Sequence, residues 1–191
     1  MKKVLLTGAE GRMGKEVATL LRDSSAFELS AGVDQHGKAG VRELDHIDAK
    51  SCDLVIDFSS PDFFSEVLVW CCRQKKPLVS GTTGLTSKQL GELSESALQI
   101  PILWAPNMSP GVAVVSRLLT LFNTLPENFD LHVEEFHHRQ KKDRPSGTAV
   151  HLQKTLEKVT GRELPPTISV RGGGLFGVHK VWAMSEDETI Q

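Results

Sequence analysis

Lys3-Val4-Leu5-Leu6-Thr7-Gly8-Ala9-Glu10-Gly11-Arg12-Met13-Gly14 stands at the head of the chain. Residues 3–7 form a short, continuously apolar run, the pattern of a strand buried on both faces. Glycines at 8, 11 and 14 follow, and then a helical period places Met13, Val17, Leu20 and Leu21 on one face. Strand, glycine turn and helix in that order are the context in which a glycine-rich turn holds the pyrophosphate of a dinucleotide. The first glycine permits the tight turn, the second lets backbone approach the phosphates, and the third lets the helix pack on the strand. The spacing is G-x-x-G-x-x-G, not the commoner G-x-G-x-x-G, so the position of the motif carries more weight than its letters.

The residues that follow keep the α/β rhythm. Phe27 to Val33 reads as a second strand with Asp34 at its carboxyl end, where an acid hydrogen-bonds the adenosine ribose hydroxyls. A carboxylate repels a 2′-phosphate, and Gln35 and His36 come next in place of an arginine, so NADH is favoured over NADPH. Gly37 to Lys50 reads as loop. Asp53 to Phe58 is a third strand, and Ser60 with Pro61 opens a helix that turns Phe63, Phe64, Val67, Leu68 and Cys71 inward. Pro77 to Ser80 is a fourth strand running into Gly81-Thr82-Thr83-Gly84. Thr86 and Gln89 have capping-box spacing for the next helix. Ile102 to Trp104 is a fifth strand, ending in Ala105-Pro106-Asn107-Met108. This alternation predicts a Rossmann-type, doubly wound parallel sheet over residues 1–106.

After Asn107 the rhythm changes. Pro110 opens an amphipathic helix carrying Val112, Val115, Leu118, Leu119 and Phe122. Phe129, Leu131 and Val133 then alternate with Asp130, His132 and Glu134 as a half-buried strand. It leads into His137-His138-Arg139-Gln140-Lys141-Lys142-Asp143-Arg144-Pro145-Ser146-Gly147-Thr148. Ser146 is a good N-cap for a helix bearing Ala149, Leu152, Leu156 and Val159, which Gly161 ends. A helix start beside His137, His138 and Lys141 makes a place for a small anion with acid–base groups at its rim. Neighbouring histidines on a strand point to opposite faces, so one metal ion is hard to share between them, and a metal is not expected. Thr167 to Arg171 and Gly177 to Met184 are further strands. Residues 107–191 thus read as a smaller α+β domain with a mixed or antiparallel sheet.

The 191 residues suffice for two small domains, and 22 basic against 24 acidic side chains leave a net charge of −2. That balance gives no reason to expect a nucleic-acid partner or an anionic membrane surface. Met1-Lys2-Lys3 runs straight into a strand pattern, unlike a signal peptide, and no apolar run reaches spanning length. Cys52, Cys71 and Cys72 form no disulfide framework and suit a reducing cytoplasm, with Cys71 as core filler.

Six blocks together resemble the dihydrodipicolinate reductases of bacterial and plant lysine synthesis. They are residues 8–14, Asp57-Phe58-Ser59, Gly81-Thr82-Thr83-Gly84, Ala105-Pro106-Asn107-Met108-Ser109, residues 137–149, and Arg171-Gly172-Gly173-Gly174 with Gly177-Val178-His179. They occur in the family's order over nearly the whole chain. The resemblance implies a nucleotide-binding domain and a tetrahydrodipicolinate-binding domain, with NADH or NADPH reducing a cyclic, unsaturated dicarboxylate. It places the pyrophosphate on Gly8, Ala9, Glu10, Gly11, Arg12 and Met13, and the ribose on Asp34. Gly81, Thr82 and Thr83 would line the nicotinamide side, bordered by Ala105, Pro106, Asn107 and Met108. His137 resembles the family's acid/base residue and Lys141 its proton donor. His138, Gly147 and Thr148 resemble its substrate ligands. A cytoplasmic homotetramer is implied in the same way.

Two local positions depart from the family. Arg144 replaces a residue that is more often small and is expected to point to solvent, and Lys142 stands at a commonly apolar or small position. Family chains also continue past a strand beginning like Glu188-Thr189-Ile190-Gln191. The C-terminal end therefore reads as truncated, with lower stability and poor activity expected.

Overall fold

The computed structural model describes residues 1–35 and 43–191. His36 and the first part of the loop reading, residues 37–42, lie outside the described residues. The rest of that loop includes two short 3-10 turns, Glu43–His46 and Ala49–Ser51. The chain divides into two compact units, Met1–Pro106 and Asn107–Gln191.

The first unit contains β1 (Lys2–Thr7), α1 (Arg12–Arg22), β2 (Phe27–Val33), β3 (Leu54–Asp57), α2 (Pro61–Gln74), β4 (Leu78–Ser80), α3 (Ser87–Ser96) and β5 (Ile102–Trp104). The strands form one parallel sheet in the order β2-β1-β3-β4-β5. The winding reverses beside β1, so the carboxyl end of β1 is the topological switch point where such sheets hold ligands. Central strands are buried on both faces: Val4, Leu5 and Leu6 have no exposed area. The core is built mainly by α2, whose Phe63, Phe64, Val67, Leu68 and Cys71 pack with Val55, Leu78 and Ile100. Each of the two phenylalanines contributes at most ~3 kcal/mol of apolar burial. Ser60 caps α2, and Thr86 with Gln89 forms the reciprocal capping box of α3.

The apolar stripe of α1 differs from the sequence reading. Met13 and Leu20 are exposed, and Gly14 and Leu21 are the buried positions. The cause is Gly14: a Cβ there would overlap the Gly8 carbonyl and lie 2.8 Å from Ala9 Cα. The helix therefore sits close to the turn, and its glycine side faces the sheet.

The second unit contains α4 (Pro110–Leu118), a 3-10 turn (Leu119–Thr124), β6 (Asp130–His137), α5 (Gly147–Thr160), β7 (Ile168–Arg171), β8 (Val178–Met184) and β9 (Thr189–Ile190). Their order is β7-β6-β8-β9, with β6 parallel to β7 and antiparallel to β8. The sheet is thus mixed. Ala149, Leu152 and Leu156 of α5 pack with Leu131, Val133 and Ala183 in one core. Ser109 caps α4 as Pro110 opens it. Val115 and Leu118 of α4 are exposed, contrary to the single buried face read from sequence, while Leu119 is buried. The chain tightens to 3-10 geometry at Leu119, which shifts the helical period and brings Leu119, Phe122 and the following Leu125 onto the core.

Candidate functional site

In the first unit the glycine turn at the end of β1 is sterically specified. Gly8 has φ +73°, and a Cβ there would overlap the Phe58 carbonyl. Ala9 N–H donates to the Val33 carbonyl at 3.2 Å and Gly11 N–H to the Gly8 carbonyl at 3.0 Å. Gly11 is the N-cap of α1 and offers its first turn no side-chain acceptor. Side chains cap α2, α3, α4 and α5. The start of α1 therefore keeps free N–H groups and partial positive charge beside a turn that only glycine fits, which suits a pyrophosphate. Glu10, Arg12 and Met13 are exposed around it. Asp34 Oδ2 accepts from Glu10 N–H at 3.2 Å, which fixes the carboxylate at the end of β2 next to the turn.

Asp57, fully buried at the end of β3, gathers the neighbouring strand ends. Thr7 and Ser59 hydroxyls donate to its Oδ1 at 2.7 and 2.5 Å, and Ser80 and Thr82 hydroxyls to its Oδ2, both at 2.7 Å. The sequence places this residue in a strand and in the block Asp57-Phe58-Ser59, with no role of its own assigned to it. Its signal was a carboxylate within an apolar run, which needs buried donors. Thr82 spends its hydroxyl on Asp57 and its carbonyl on Trp104 Nε1 at 2.9 Å, while Thr83 is exposed. Gly81 is pressed against the Phe58 ring, which an added Cβ would overlap. Ala105 N–H joins the Ser80 carbonyl at 3.0 Å, and Pro106 is exposed.

In the second unit Asn107 Nδ2 donates to the Thr148 hydroxyl at 2.9 Å, and Met108 is exposed. His137 closes β6. Because side chains alternate along a strand, Leu131, Val133, Glu135 and His137 share one face, and Glu135 and His137 carry the inward row beyond the apolar core. Glu135 is completely buried, and Arg171 of β7 grips it with two bonds, Nη2 to Oε1 at 2.7 Å and Nη1 to Oε2 at 2.8 Å. His137 Nδ1 shares Glu135 Oε2. Burial raises the Glu135 pKa, but hydrogen bonds from Arg171, Ser169 and His137 outweigh it and bring the value down to about 2. His179 of β8 meets His137 edge-on, with ring centroids 5.1 Å apart. Its Nε2 also reaches the Ser146 hydroxyl at 2.9 Å, and Ser146 accepts from Ala149 N–H to cap α5. Burial, followed by the charge of His137, lowers the His179 pKa.

His137 is therefore linked through His179 to the start of α5, where Gly147 is exposed and Thr148 half-buried. His138 leaves the sheet, and its Nδ1 is buried with no partner among the described residues. Lys141 Nζ pairs with Asp143 at 2.9 Å. The loop is pinned to the turn after β7: Arg139 N–H reaches the Gly173 carbonyl at 3.2 Å, and Arg171 Nη2 reaches the Asp143 carbonyl at 2.6 Å. Arg144 is exposed, as expected. Glu135, Arg171 and His179 were not singled out as site residues from sequence. The period-two row from Leu131 carried a signal for Glu135, because a carboxylate in an inward row needs a partner. Nothing local pointed to Arg171 or His179 as its neighbours.

The family description "Dihydrodipicolinate reductase, N-terminus" matches residues 2–108, and "Dihydrodipicolinate reductase, C-terminus" matches residues 111–191. The 4-hydroxy-tetrahydrodipicolinate reductase of Bdellovibrio bacteriovorus is 41% identical over 188 residues, which is 98% of this chain and 80% of that protein. The enzyme of the same name from Campylobacter jejuni serotype O:6 is 35% identical over all of this chain and 84% of its own length. Among solved structures, the dipicolinate-bound dihydrodipicolinate reductase of Paenisporosarcina sp. TG-14 shares the fold with a TM-score of 0.77. Its identity is 23%, covering all of this chain and 86% of that one. With both of its units matched, the chain belongs to the dihydrodipicolinate reductase family.

Proposed function

We propose that the chain is an NAD(P)H-dependent 4-hydroxy-tetrahydrodipicolinate reductase, producing tetrahydrodipicolinate for lysine and diaminopimelate synthesis. The observation that carries this reading is the family match through both units, 41% identical to a reductase of that name. In the first unit Gly8, Ala9, Glu10, Gly11, Arg12 and Met13 receive the pyrophosphate and Asp34 the ribose. The uncapped start of α1 supports that assignment. The Asp34 carboxylate disfavours a 2′-phosphate, so NADH is the better cofactor. Gly81, Thr82 and Thr83 border the nicotinamide, together with Ala105, Pro106, Asn107 and Met108. Because the Thr82 hydroxyl is held by Asp57, its carbonyl by Trp104 and its N–H by Ser80, its contribution is shape. When bound, the nicotinamide supplies the hydride.

The chain's own residues bind the dicarboxylate and move the proton. Gly147 and Thr148 at the start of α5 give one carboxylate an N–H and a hydroxyl, and His138 adds a ligand. Lys141 exchanges Asp143 for the substrate and donates a proton. His137 serves as acid/base, since hydride addition to a conjugated C=C–C=N system requires a proton in the same step sequence. We assign the enzyme to the cytoplasm because Cys52, Cys71 and Cys72 are all free thiols. We also infer a homotetramer, which light scattering checks. No described helix is long and apolar enough to cross a membrane.

NADH oxidation with freshly generated substrate tests the reaction. Substrate-dependent oxidation is expected, and His137→Gln should lower turnover by ~10² or more with little change in NADH affinity. Absence of substrate-dependent oxidation by the wild-type chain would overturn the reading. Titration with both nucleotides tests the preference, and equal or tighter NADPH binding would remove the role given to Asp34.

A further inference from the structure

The Glu135–Arg171 pair does more than close the edge of a sheet. A buried carboxylate with a bidentate guanidinium is already satisfied, and a fold gains little by adding a histidine to it. Here Oε2 is nonetheless shared between Arg171 Nη1 at 2.8 Å and His137 Nδ1. The far side of the same ring carries a second specification. Gly177 has φ +126°, a conformation that side-chain-bearing residues rarely adopt, and a Cβ on it would lie 2.8 Å from His137 Nε2. One ring nitrogen is thus held by a carboxylate, and the other is kept clear by the absence of a side chain.

We propose that Glu135, clamped by Arg171, is the positioning residue of His137: it fixes the imidazole with the proton on Nδ1 and leaves the Nε2 lone pair directed to the space that Gly177 keeps open. This rests on the reading of His137 as the acid/base group. The guanidinium matters to the arrangement. A lone carboxylate would hold the imidazole in its charged form, whereas a carboxylate already neutralised by Arg171 supplies direction with little net charge. The ring can then gain and lose a proton at Nε2 while keeping its orientation. Among the described residues, the charged and titratable groups that meet the ring or its carboxylate are Glu135 on its own strand, Arg171 on β7 and His179 on β8; Lys141 and Asp143, paired on the loop that follows, act on His179 and Arg171 respectively.

The direct test is nitrogen-15 NMR of the full, histidine-labelled chain, with the His137 signals assigned by their loss in His137→Gln. The neutral ring should show a protonated Nδ1 and a bare Nε2, and the opposite tautomer overturns the proposal. Kinetics give a second readout. Glu135→Leu should lower kcat by ~10- to 100-fold while the affinity for NADH stays the same. Glu135→Gln keeps a carbonyl that can accept from Nδ1, so it should retain more of kcat than Glu135→Leu. With Arg171 then unopposed, its kcat–pH limb for imidazole protonation should move to lower pH. Circular dichroism and melting establish that each variant is folded. If Glu135→Leu does not fold, the wild-type tautomer and the Glu135→Gln profile decide. In the His137→Gln background, Glu135→Leu should cost nothing further, because it acts through the ring. A folded Glu135→Leu with wild-type kcat and pH profile, or a double variant whose losses multiply, overturns the positioning role. Unchanged turnover in His137→Gln refutes the acid/base reading itself, whereas a large loss there with an indifferent Glu135→Leu refutes only the proposal.

Discussion

Asp57→Asn preserves shape and removes charge at the point where β1, β3 and β4 are tied together. The carboxylate accepts four hydroxyl bonds, two on each oxygen, and Oδ1 also accepts Ser59 N–H at 3.2 Å. A carboxamide has one oxygen, so whichever way it turns, two hydroxyls meet an NH2 group instead of an acceptor. A hydrogen bond to a charged group contributes ~1.5–3 kcal/mol, and two lost at the lower end give ~3 kcal/mol. For a chain of this size that corresponds to a fall of about 6–12 °C in Tm. The effect should also reach the nucleotide, because Thr7 precedes Gly8 and Thr82 follows Gly81. Scanning calorimetry without and with NADH measures both, and the NADH-induced rise in Tm should shrink in the variant. A variant that melts within about 2 °C of wild type, with the same NADH-induced rise, would show that the hub neither stabilises the sheet nor shapes the turn.

Other perturbations read other parts of the structure. Gly8→Ala places a Cβ at φ +73° against the Phe58 carbonyl; the left-handed conformation alone costs ~1–2 kcal/mol, and NADH affinity by fluorescence titration should fall by about tenfold or more. Ser146→Ala removes the cap of α5 and the partner of His179, so urea unfolding should show a loss of ~1 kcal/mol or more. Arg171→Met leaves Glu135 buried without its counter-charge and should cost ~3–5 kcal/mol in the same assay, more than any exposed charge removal. Acidification should destabilise the chain in two stages. The His179 pKa is lowered from 6.5, so the folded chain resists that proton and stability falls as pH drops through 6.5. Glu135 is held at about 2 against an ordinary 4.5, so its stabilisation is complete above 4.5 and is lost as pH falls toward 2. Melting from pH 7.5 down should show the first stage in the wild type and a flatter course in His179→Gln.

The first unit was legible because its rules are local. The apolar run of β1, the glycines after it, the caps at Ser60 and Thr86, and the inward row of α2 each depend on residues within a few positions of one another. The reading went astray where packing overrode the period. In α1, close approach at Gly14 turned Met13 and Leu20 outward, and in α4 the change to 3-10 geometry at Leu119 left Val115 and Leu118 exposed. The second site was half legible. His137, His138, Lys141 and the cap at Ser146 lie in one stretch, so the sequence displays them side by side. Arg171 and His179 reach the same place only through strand register, opposite His137 and Glu135 on β7 and β8, and register is a tertiary property.

The missing cap of α1 has a consequence for the protein's life in the cell. Four helices carry their own acceptor at the start, and α1 relies on whatever fills the turn before it. Water meets those donors in the open turn, and the pyrophosphate proposed for it would meet them better. With a dinucleotide in that turn, as proposed, the stability of the amino-terminal unit grows by RT ln(1 + [L]/Kd) with its concentration, and because the pyrophosphate is the same in both redox forms, these donors respond to oxidised and reduced nucleotide alike. A cell short of the dinucleotide in both its redox forms would hold the same polypeptide in a looser form, more open to proteases.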